Sequence, residues 1–465
     1  MASTKRFVNN MGFYALGTFA TKLLAFLFVP IYSKFLAPSE LGIYSVTIAT
    51  VSFALPLLFQ SIWEGTFRFT IEEGDDGRRV LATSSKYCLI LSLLYSLLFL
   101  LVSYTIDLRY GLYILLYAIG NVGTMYWQFA ARALKANKAY AASSVIYSSL
   151  SIVMNLVLIL VFHMGIEALF IASITGSVAM VMYLELKLHI LVDINKYPFN
   201  RVLLIQIIKY STPLAINTVS WWLMSSCNNI IITSSLGTHE NGIYAIAMKF
   251  GMIMSVVTSV ITLAWQEEAF RTYGDSDQDA YFNKVLDLLT KGLLGVTFVL
   301  IPLTYVVYIY MVFGEYQRGV VLATFIYLSA VYNALSCHLG SALLARKESD
   351  ILFYTTLAGG VINVIVSLVL VNIIGILGAA VGSAVGNMFN FFVRIPILKK
   401  RINLNISYAY LIPLTILCVL LGMCCTHYQG RILPQTFILL CSVVMFVLAN
   451  RQLLSKIKTK ITNKI

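Results

Sequence analysis

Charged residues are scarce in this chain of 465 residues. Asp, Glu, Lys and Arg together make up 11% of it, whereas 59% of the residues are hydrophobic and the mean hydropathy is +0.84. This composition provides too little polarity to cover the surface of a water-soluble globule of this length. The sequence therefore excludes a soluble protein and predicts an integral membrane protein.

Catalytic and metal-binding patterns are also missing. The seven cysteines lie in or beside apolar stretches and none forms a CxxC pair, which indicates neither a disulfide framework nor a zinc site. The sequence contains no HExxH, GxSxG or Walker motif. We therefore expect no enzyme activity, no cofactor and no direct use of ATP.

Long apolar stretches are what the chain does contain. A bilayer core about 30 Å thick requires about 20 mainly apolar residues in a spanning helix. Strands of outer-membrane barrels are only about 10 residues long, so these stretches predict an all-α, polytopic fold. The fourteen predicted spans are Val8–Tyr32, Gly42–Phe67, Tyr87–Ile106, Tyr110–Phe129, Ala141–Phe162, Ile166–Leu186, Tyr210–Ile232, Gly242–Trp265, Val285–Tyr310, Gly319–Ala342, Ile351–Ile373, Ile376–Ile397, Tyr408–Cys424 and Leu433–Ala449.

The net charge of +13 follows the predicted topology. Most of the 33 Lys and Arg residues fall in the connections on the side that both termini share. This asymmetry places both termini in the cytoplasm. The positive charge therefore indicates membrane topology and an affinity for anionic lipid, not a nucleic-acid partner.

One polar turn between two spans recurs 200 positions later. The repeated residues are Leu36, Glu40, Gly42, Ile43 and Tyr44, matched by Leu236, Glu240, Gly242, Ile243 and Tyr244. Such a repeat predicts two copies of one unit, here with six helices each. Because six is even, we expect the halves to be related by a pseudo-two-fold axis along the membrane normal. The predicted division is a first bundle in 1–190, a cytoplasmic linker in 191–202, a second bundle in 203–400, and two extra helices with a basic tail in 401–465.

Three stretches resemble polysaccharide flippases of the Wzx type, within the superfamily that includes MATE exporters and lipid II flippases: residues 30–45, 230–244 and the glycine-rich 375–386. The resemblance implies that the chain moves undecaprenyl-pyrophosphate-linked oligosaccharide, such as O-antigen or capsule repeat units, across the bacterial inner membrane by alternating access. It implies as partners the lipid-linked oligosaccharide, membrane lipid and a glycan polymerase. Family members often carry Asp-Arg late in span seven, where this chain has Asn228-Asn229, so the role of that pair does not transfer.

Four cations are candidates for binding the pyrophosphate head. Lys22 and Lys249 fall inside predicted spans at similar depth, one in each half. A charge at the bilayer centre is costly, so such residues are functional candidates by default. Arg68 and Arg271 each follow a phenylalanine at the inner end of a span, and the guanidinium fork suits phosphate oxygens. The alternatives are snorkelling of the lysines to the headgroups and interfacial anchoring by the arginines.

Glu64 is the candidate for coupling transport to an ion gradient. It is the only acid well within span two, and carboxylates inside transporter spans often serve as relays. The alternative is an i,i+4 ion pair with Arg68. Two other functions stay open at this point: a MATE-like exporter of small cationic molecules, which requires an acidic site, and a membrane-embedded glycan polymerase, which requires a catalytic platform outside the bilayer.

Overall fold

The computed structural model describes residues 26–271 and 278–449, without the side chains at positions 75 and 449 and at several positions between 260 and 271. Within these residues the chain forms α-helices and two short 3₁₀ segments, Gly74–Asp76 and Gly314–Leu322, and no β-strand. The helices are α1 (Val29–Phe35), α2 (Pro38–Leu58), α3 (Ile62–Glu72), α4 (Gly77–Thr105), α5 (Gly111–Ala133), α6 (Asn137–Leu160), α7 (Ile166–Leu188), α8 (Ile190–Lys196), α9 (Arg201–Ser225), α10 (Cys227–Leu236), α11 (Thr238–Arg271), α12 (Gln278–Met311), α13 (Ala323–Ala345), α14 (Ser349–Ile374), α15 (Ile376–Lys399), α16 (Tyr408–His427) and α17 (Ile432–Ala449).

Eleven helical stretches of the described residues are long and apolar enough to cross a bilayer, and the shorter Ile432–Leu448 is also apolar. A helix of 20 residues is about 30 Å long, which matches the hydrocarbon core. The prediction of an all-helical, multi-pass membrane protein is therefore confirmed.

Two of the predicted spans are each formed by two helices. Span two is divided into α2 and α3 by Phe59–Ser61, three residues after Pro56, which lies inside α2. Span seven is divided into α9 and α10 at Ser226. The proline ring removes a backbone donor and weakens the helix around it, which accounts for the first break.

Backbone contacts divide the chain into two compact units. Among the described residues, unit 1 contains Phe35–Trp222, and unit 2 contains residues 26–34, 223–271 and 278–449. Unit 1 therefore includes most of α9, and unit 2 includes most of α1. The boundaries that we infer from the internal repeat, with a linker in 191–202, stay a prediction.

Both copies of the repeated turn begin a helix. Glu40 lies in the first turn of α2, where its Oε2 accepts a hydrogen bond from the backbone N–H of Ala37 at 3.0 Å. Glu240 lies in the first turn of α11 and pairs with Arg318 at 2.8 Å. A carboxylate is stabilised at a helix N-terminus by the unpaired N–H groups and the helix dipole. The repeated glutamate therefore lies in the first turn of a spanning helix in each unit, and in α2 it caps the helix.

Unit 2 contains a closely packed pair of helices, α14 and α15. Gly378, Gly382 and Gly386 follow one another at intervals of four residues on the face of α15 that meets α14. A Cβ atom at Gly386 would lie 2.7 Å from the backbone oxygen of Gly359 and 2.8 Å from Cβ of Asn363. The absence of side chains on this face lets the two helix backbones approach, as in other membrane helix pairs.

Candidate functional site

In unit 1, Glu64 lies directly after the break in span two. Gln60 and Ser61, which form the break, adopt left-handed φ angles of 48° and 45°, a region that residues other than glycine rarely occupy. The hydroxyl of Tyr87 donates a hydrogen bond of 2.6 Å to Oε1 of Gln60 and holds the break in place. Glu64 is half-buried in the first turn of α3. The fold thus holds one carboxyl group at an interruption of a spanning helix.

Arg68 pairs with Glu72 and not with Glu64. Its Nη2 lies 2.6 Å from Oε1 of Glu72, one turn further along α3, and its guanidinium lies 5.4 Å from the ring centroid of Tyr210 in α9. The side chains of Arg68 and Glu72 are both about half exposed, 54% and 49%. Exposed pairs of this kind contribute about 0–1 kcal/mol to stability. Arg68 is therefore held in position at the end of α3 while remaining accessible to an anion.

In unit 2, Lys249 is half-buried in α11, eleven residues after Thr238 and about 16 Å from the start of the helix. This is deeper than the sequence suggests, because α11 begins four residues before the predicted span. The Nζ of Lys249 lies 5.9 Å from the ring centroid of Tyr32 in α1. Among the described residues no carboxylate forms an ion pair with it. Within this part of the chain, an aromatic face is the partner of the Lys249 charge.

The region around Lys249 is formed by aromatic residues from three helical segments. Phe250 packs edge-on against Phe26, with ring centroids 5.1 Å apart, and against Tyr308 of α12 at 4.5 Å. These contacts join the stretch that precedes α1 to α11 and α12. The part of α11 that carries Lys249 is therefore packed against these two neighbouring segments.

Two of the predicted site residues cannot be placed. Lys22 lies outside the described residues. Arg271 ends α11, but its side chain is not described. The predicted pairing of Lys22 with Lys249 and of Arg68 with Arg271 stays a prediction.

Arg394 in α15 is a buried cation that is not among the four cations predicted to bind the pyrophosphate. It is only 2% exposed. Its Nε donates to Oγ1 of Thr355 at 3.0 Å, its Nη1 to O and Oγ of Ser336 at 2.7 and 3.0 Å, and its Nη2 to Oγ1 of Thr356 at 2.8 Å and to O of Leu352 at 3.4 Å. Five neutral acceptors from α13 and α14 thus solvate one guanidinium. Its position between Phe391 and Ile395, inside an apolar run, was the signal available in the sequence.

Asparagine side chains in unit 2 connect neighbouring helices. Nδ2 of Asn228 donates to O of Ala379 and to Oγ of Ser383, both at 2.8 Å, and Nδ2 of Asn363 donates to O of Leu223 at 2.8 Å. These bonds tie α10 to α15 and the last turn of α9 to α14, so the amides act as interhelical contacts. Among the described residues, the buried Oδ1 atoms of Asn387 and Asn390 have no hydrogen-bond partner.

Taken separately, each unit offers different chemistry. Unit 1 holds a carboxyl group at a helix break and an accessible guanidinium, whereas unit 2 holds a half-buried ammonium and a buried guanidinium. Among the described residues no cluster of three His, Cys, Asp or Glu side chains could hold a metal ion. This arrangement suits the binding of an anion and the uptake of a small cation.

A family model described as "Polysaccharide biosynthesis protein" matches residues 7–265, more than half of the chain. Among curated proteins, an uncharacterized membrane protein of Methanocaldococcus jannaschii is 24% identical over 198 residues, which cover 41% of this chain and 45% of that protein. The chain thus spans a little under half the length of this relative.

Solved structures share the fold over nearly their whole length. An inward-facing multidrug resistance MATE family transporter of the MOP superfamily aligns with a TM-score of 0.68 at 16% identity, covering 83% of this chain and 99% of that one. The lipid II flippase MurJ, in an inward closed conformation, aligns with a TM-score of 0.69 at 11% identity, covering 95% and 99%. Together with the family match, these alignments confirm the resemblance noted in the sequence.

Proposed function

Because the chain belongs to the polysaccharide biosynthesis protein family, we propose that it is a flippase for lipid-linked oligosaccharide. The substrate is an oligosaccharide repeat unit joined through pyrophosphate to undecaprenol, moved by alternating access from the cytoplasmic to the periplasmic leaflet of a bacterial inner membrane. Both termini lie in the cytoplasm, and a glycan polymerase receives the product.

The observation that carries this proposal is the sign of the charges inside the spans. Lys249 is half-buried and Arg394 is buried in helices that are long and apolar enough to cross the membrane. A fixed cation in a low-dielectric environment lowers the cost of bringing a pyrophosphate into the membrane, because the attraction between opposite charges is stronger there than in water. Lys249 is the better placed of the two for binding, since all five donors of Arg394 are already used within the protein.

Arg68 and Glu64 have separate roles in the same proposal. Arg68 is accessible at the end of α3, where a guanidinium can exchange the Glu72 carboxylate for a phosphate oxygen. Glu64 takes up an ion and couples the movement to a gradient across the membrane. Lys22 and Arg271 complete the anion path in the two halves of the sequence.

The test is flux of a fluorescent undecaprenyl-pyrophosphate-linked oligosaccharide in proteoliposomes. We expect Lys249→Ala to lower the flux about tenfold, as for the loss of about 1.4 kcal/mol of binding. The matched control is Lys291→Ala in the same unit, because Lys291 already pairs with Asp287 at 2.7 Å. Equal flux in the two variants would remove Lys249 from the path.

Transport of small cations is the second candidate, and Glu64 is the observation that favours it. A half-buried carboxyl group is the kind of side chain that binds an organic cation. In the same proteoliposomes, uptake of a fluorescent cation in place of the lipid-linked sugar would support this exporter function and contradict the flippase.

A further inference from the structure

Unit 1 contains an apolar crevice between α4, α5 and α7 that none of the proposed site residues lines. Its volume is about 380 Å³. A cavity of about 150 Å³ already holds a benzene molecule, so this space is large enough for a sizeable hydrocarbon group. The lining residues are Ser85, Cys88, Leu89 and Ser92 of α4, Leu116, Gly120, Gly123, Tyr126 and Trp127 of α5, and Ile174, Ser177, Val178, Val181 and Met182 of α7, with Ile119 and Val122.

The floor of the crevice is the close contact between α5 and α7. A Cβ atom at Gly120 would lie 2.6 Å from Oγ of Ser177, and one at Gly123 would lie 3.1 Å from Cγ2 of Val181. The two glycines therefore let α7 approach α5 and leave open space beside the contact. α4 forms the opposite wall.

The hydroxyl groups that line the crevice are used within the protein. Oγ of Ser92 donates to O of Cys88 at 2.8 Å, Oγ of Ser177 donates to O of Ser173 at 2.7 Å, and the hydroxyls of Ser85 and Tyr126 share a bond of 2.8 Å. The crevice therefore presents hydrocarbon and has little to offer a polar ligand. Such a lining suits an apolar chain.

The mouth of the crevice opens on the apolar surface of unit 1. Leu89, Leu116, Val178 and Met182 are each more than two-fifths exposed. In a multi-pass membrane protein such side chains contact lipid, so the crevice is continuous with the interface between the protein and the bilayer. A lipid chain can enter it sideways without passing through water.

The crevice straddles the middle of the spanning helices. Along α5 it extends from Leu116, five residues after the helix begins, to Trp127, six residues before it ends, a length of about 16 Å. Along α7 it extends from Ile174 to Met182, eight residues from one end and six from the other. An acyl chain of one leaflet ends near the midplane, whereas a polyprenyl chain is longer than a leaflet and can fill both halves.

We propose that this crevice binds the polyprenyl tail of the lipid-linked substrate and holds it across the midplane during transfer. This inference rests on the proposed function for the identity of the lipid. The tail thereby stays in a hydrocarbon environment beside unit 1 while the head is transferred. Because the tail comes from lipid and not from water, its binding energy comes from van der Waals packing against the walls of the crevice.

The experiment is photo-crosslinking in nanodiscs that contain phosphatidylglycerol, with radiolabelled undecaprenyl phosphate as the probe. p-Benzoylphenylalanine replaces Val178 in the crevice or, as the matched control, Val153 of α6, which is similarly exposed at 52% against 43% but does not line the crevice. We expect about tenfold more labelling at 178, lost on addition of unlabelled undecaprenyl phosphate and kept on addition of phosphatidylglycerol. Equal labelling at the two positions, or equal competition by phosphatidylglycerol, overturns the inference.

A second pair of variants tests tail binding by the crevice separately from the proposed flippase function. Val178→Trp fills the mouth and is expected to lower flux of the lipid-linked oligosaccharide about tenfold, whereas Val153→Trp leaves it within about twofold. Selective labelling at position 178 in a protein that does not transport lipid-linked sugar would support tail binding by the crevice and refute the flippase function. Transport that Val178→Trp does not impair would refute the role of the crevice in transfer.

Discussion

At the scale of single residues, Arg394 shows how a membrane protein accommodates a charge without a counter-ion among the described residues. Thr355 and Thr356 donate their hydroxyl protons to the carbonyls of Ile351 and Leu352, and their oxygens are thereby polarised as acceptors for the guanidinium. Hydrogen bonds to a charged group contribute about 1.5–3 kcal/mol each. The planar guanidinium has five N–H donors, and these match the five hydrogen bonds that hold Arg394.

We therefore predict that Arg394→Lys destabilises the protein by about 3 kcal/mol or more, because an ammonium keeps the charge but has only three donors. The matched control is Arg401→Lys, since Arg401 is partly exposed and pairs with Glu348. Thermal unfolding in detergent measures both. Equal shifts in Tm for the two variants would show that the buried fork adds nothing over a surface pair.

The sequence could not reveal the burial of Arg394, because hydropathy measures how apolar a stretch is and not which face of a helix meets a neighbour. A position five residues from the end of α15 reads equally well as a membrane-edge charge. Lys249 was identified because it lies seven residues inside its predicted span, Gly242–Trp265. The partner of Arg68 was missed for another reason: Glu64 and Glu72 both lie four residues away, and only the rotamer in the structure distinguishes them.

At the scale of helices, the spans were predictable because each must bury about 20 apolar residues, whereas their interruptions were not. Pro56 indicates a weak point in span two, but the break itself depends on Gln60 and Ser61 adopting left-handed conformations that Tyr87 stabilises. That contact joins residues 27 positions apart, and no local pattern indicates it. The glycine face of α15 was predictable, since a spacing of four residues places small residues on one side of a helix.

The α14–α15 contact provides a prediction with an internal control. Gly386→Ala is expected to destabilise unit 2 by about 1–3 kcal/mol, because the new methyl group meets the backbone of Gly359 and cannot be relieved by a rotamer change. Gly292→Ala in α12 is expected to be neutral or to stabilise by up to about 1 kcal/mol, because nothing lies within 4 Å of its Cβ position. Thermal unfolding of both variants in detergent tests this; a destabilising Gly292→Ala would contradict it.

At the scale of the whole molecule, the division of the chain into two units by backbone contacts differs from the division that the internal repeat predicts. Residues 26–34 belong to unit 2, although they precede the described part of unit 1, and most of α9 belongs to unit 1. The internal repeat reflects similarity between two parts of the sequence, whereas the units reflect which helices pack together. The two divisions can therefore differ without contradicting each other. Sequence similarity identified the family, and similarity to solved structures identified the fold.

Transport measured at different gradients tests the role of Glu64 for the molecule as a whole. Glu64→Gln is expected to abolish the stimulation of flux by a proton or sodium gradient, since a neutral amide neither binds nor releases the ion. Glu72→Gln, on the same helix, is expected to keep the stimulation, because Glu72 pairs with Arg68 at the exposed end of α3. Gradient-stimulated flux in Glu64→Gln would assign the coupling to another residue.

The buried guanidinium also constrains biogenesis. When α15 leaves the ribosome its arginine faces lipid unless acceptors are already in place, and an unsolvated cation opposes insertion. The acceptors belong to α13 and α14, which are synthesised before α15. Both helices can therefore be in the bilayer when α15 is inserted, and their acceptors can bind the guanidinium at once. Reversing that order, for example by circular permutation within unit 2, would present the charge before its acceptors and direct the nascent protein towards degradation.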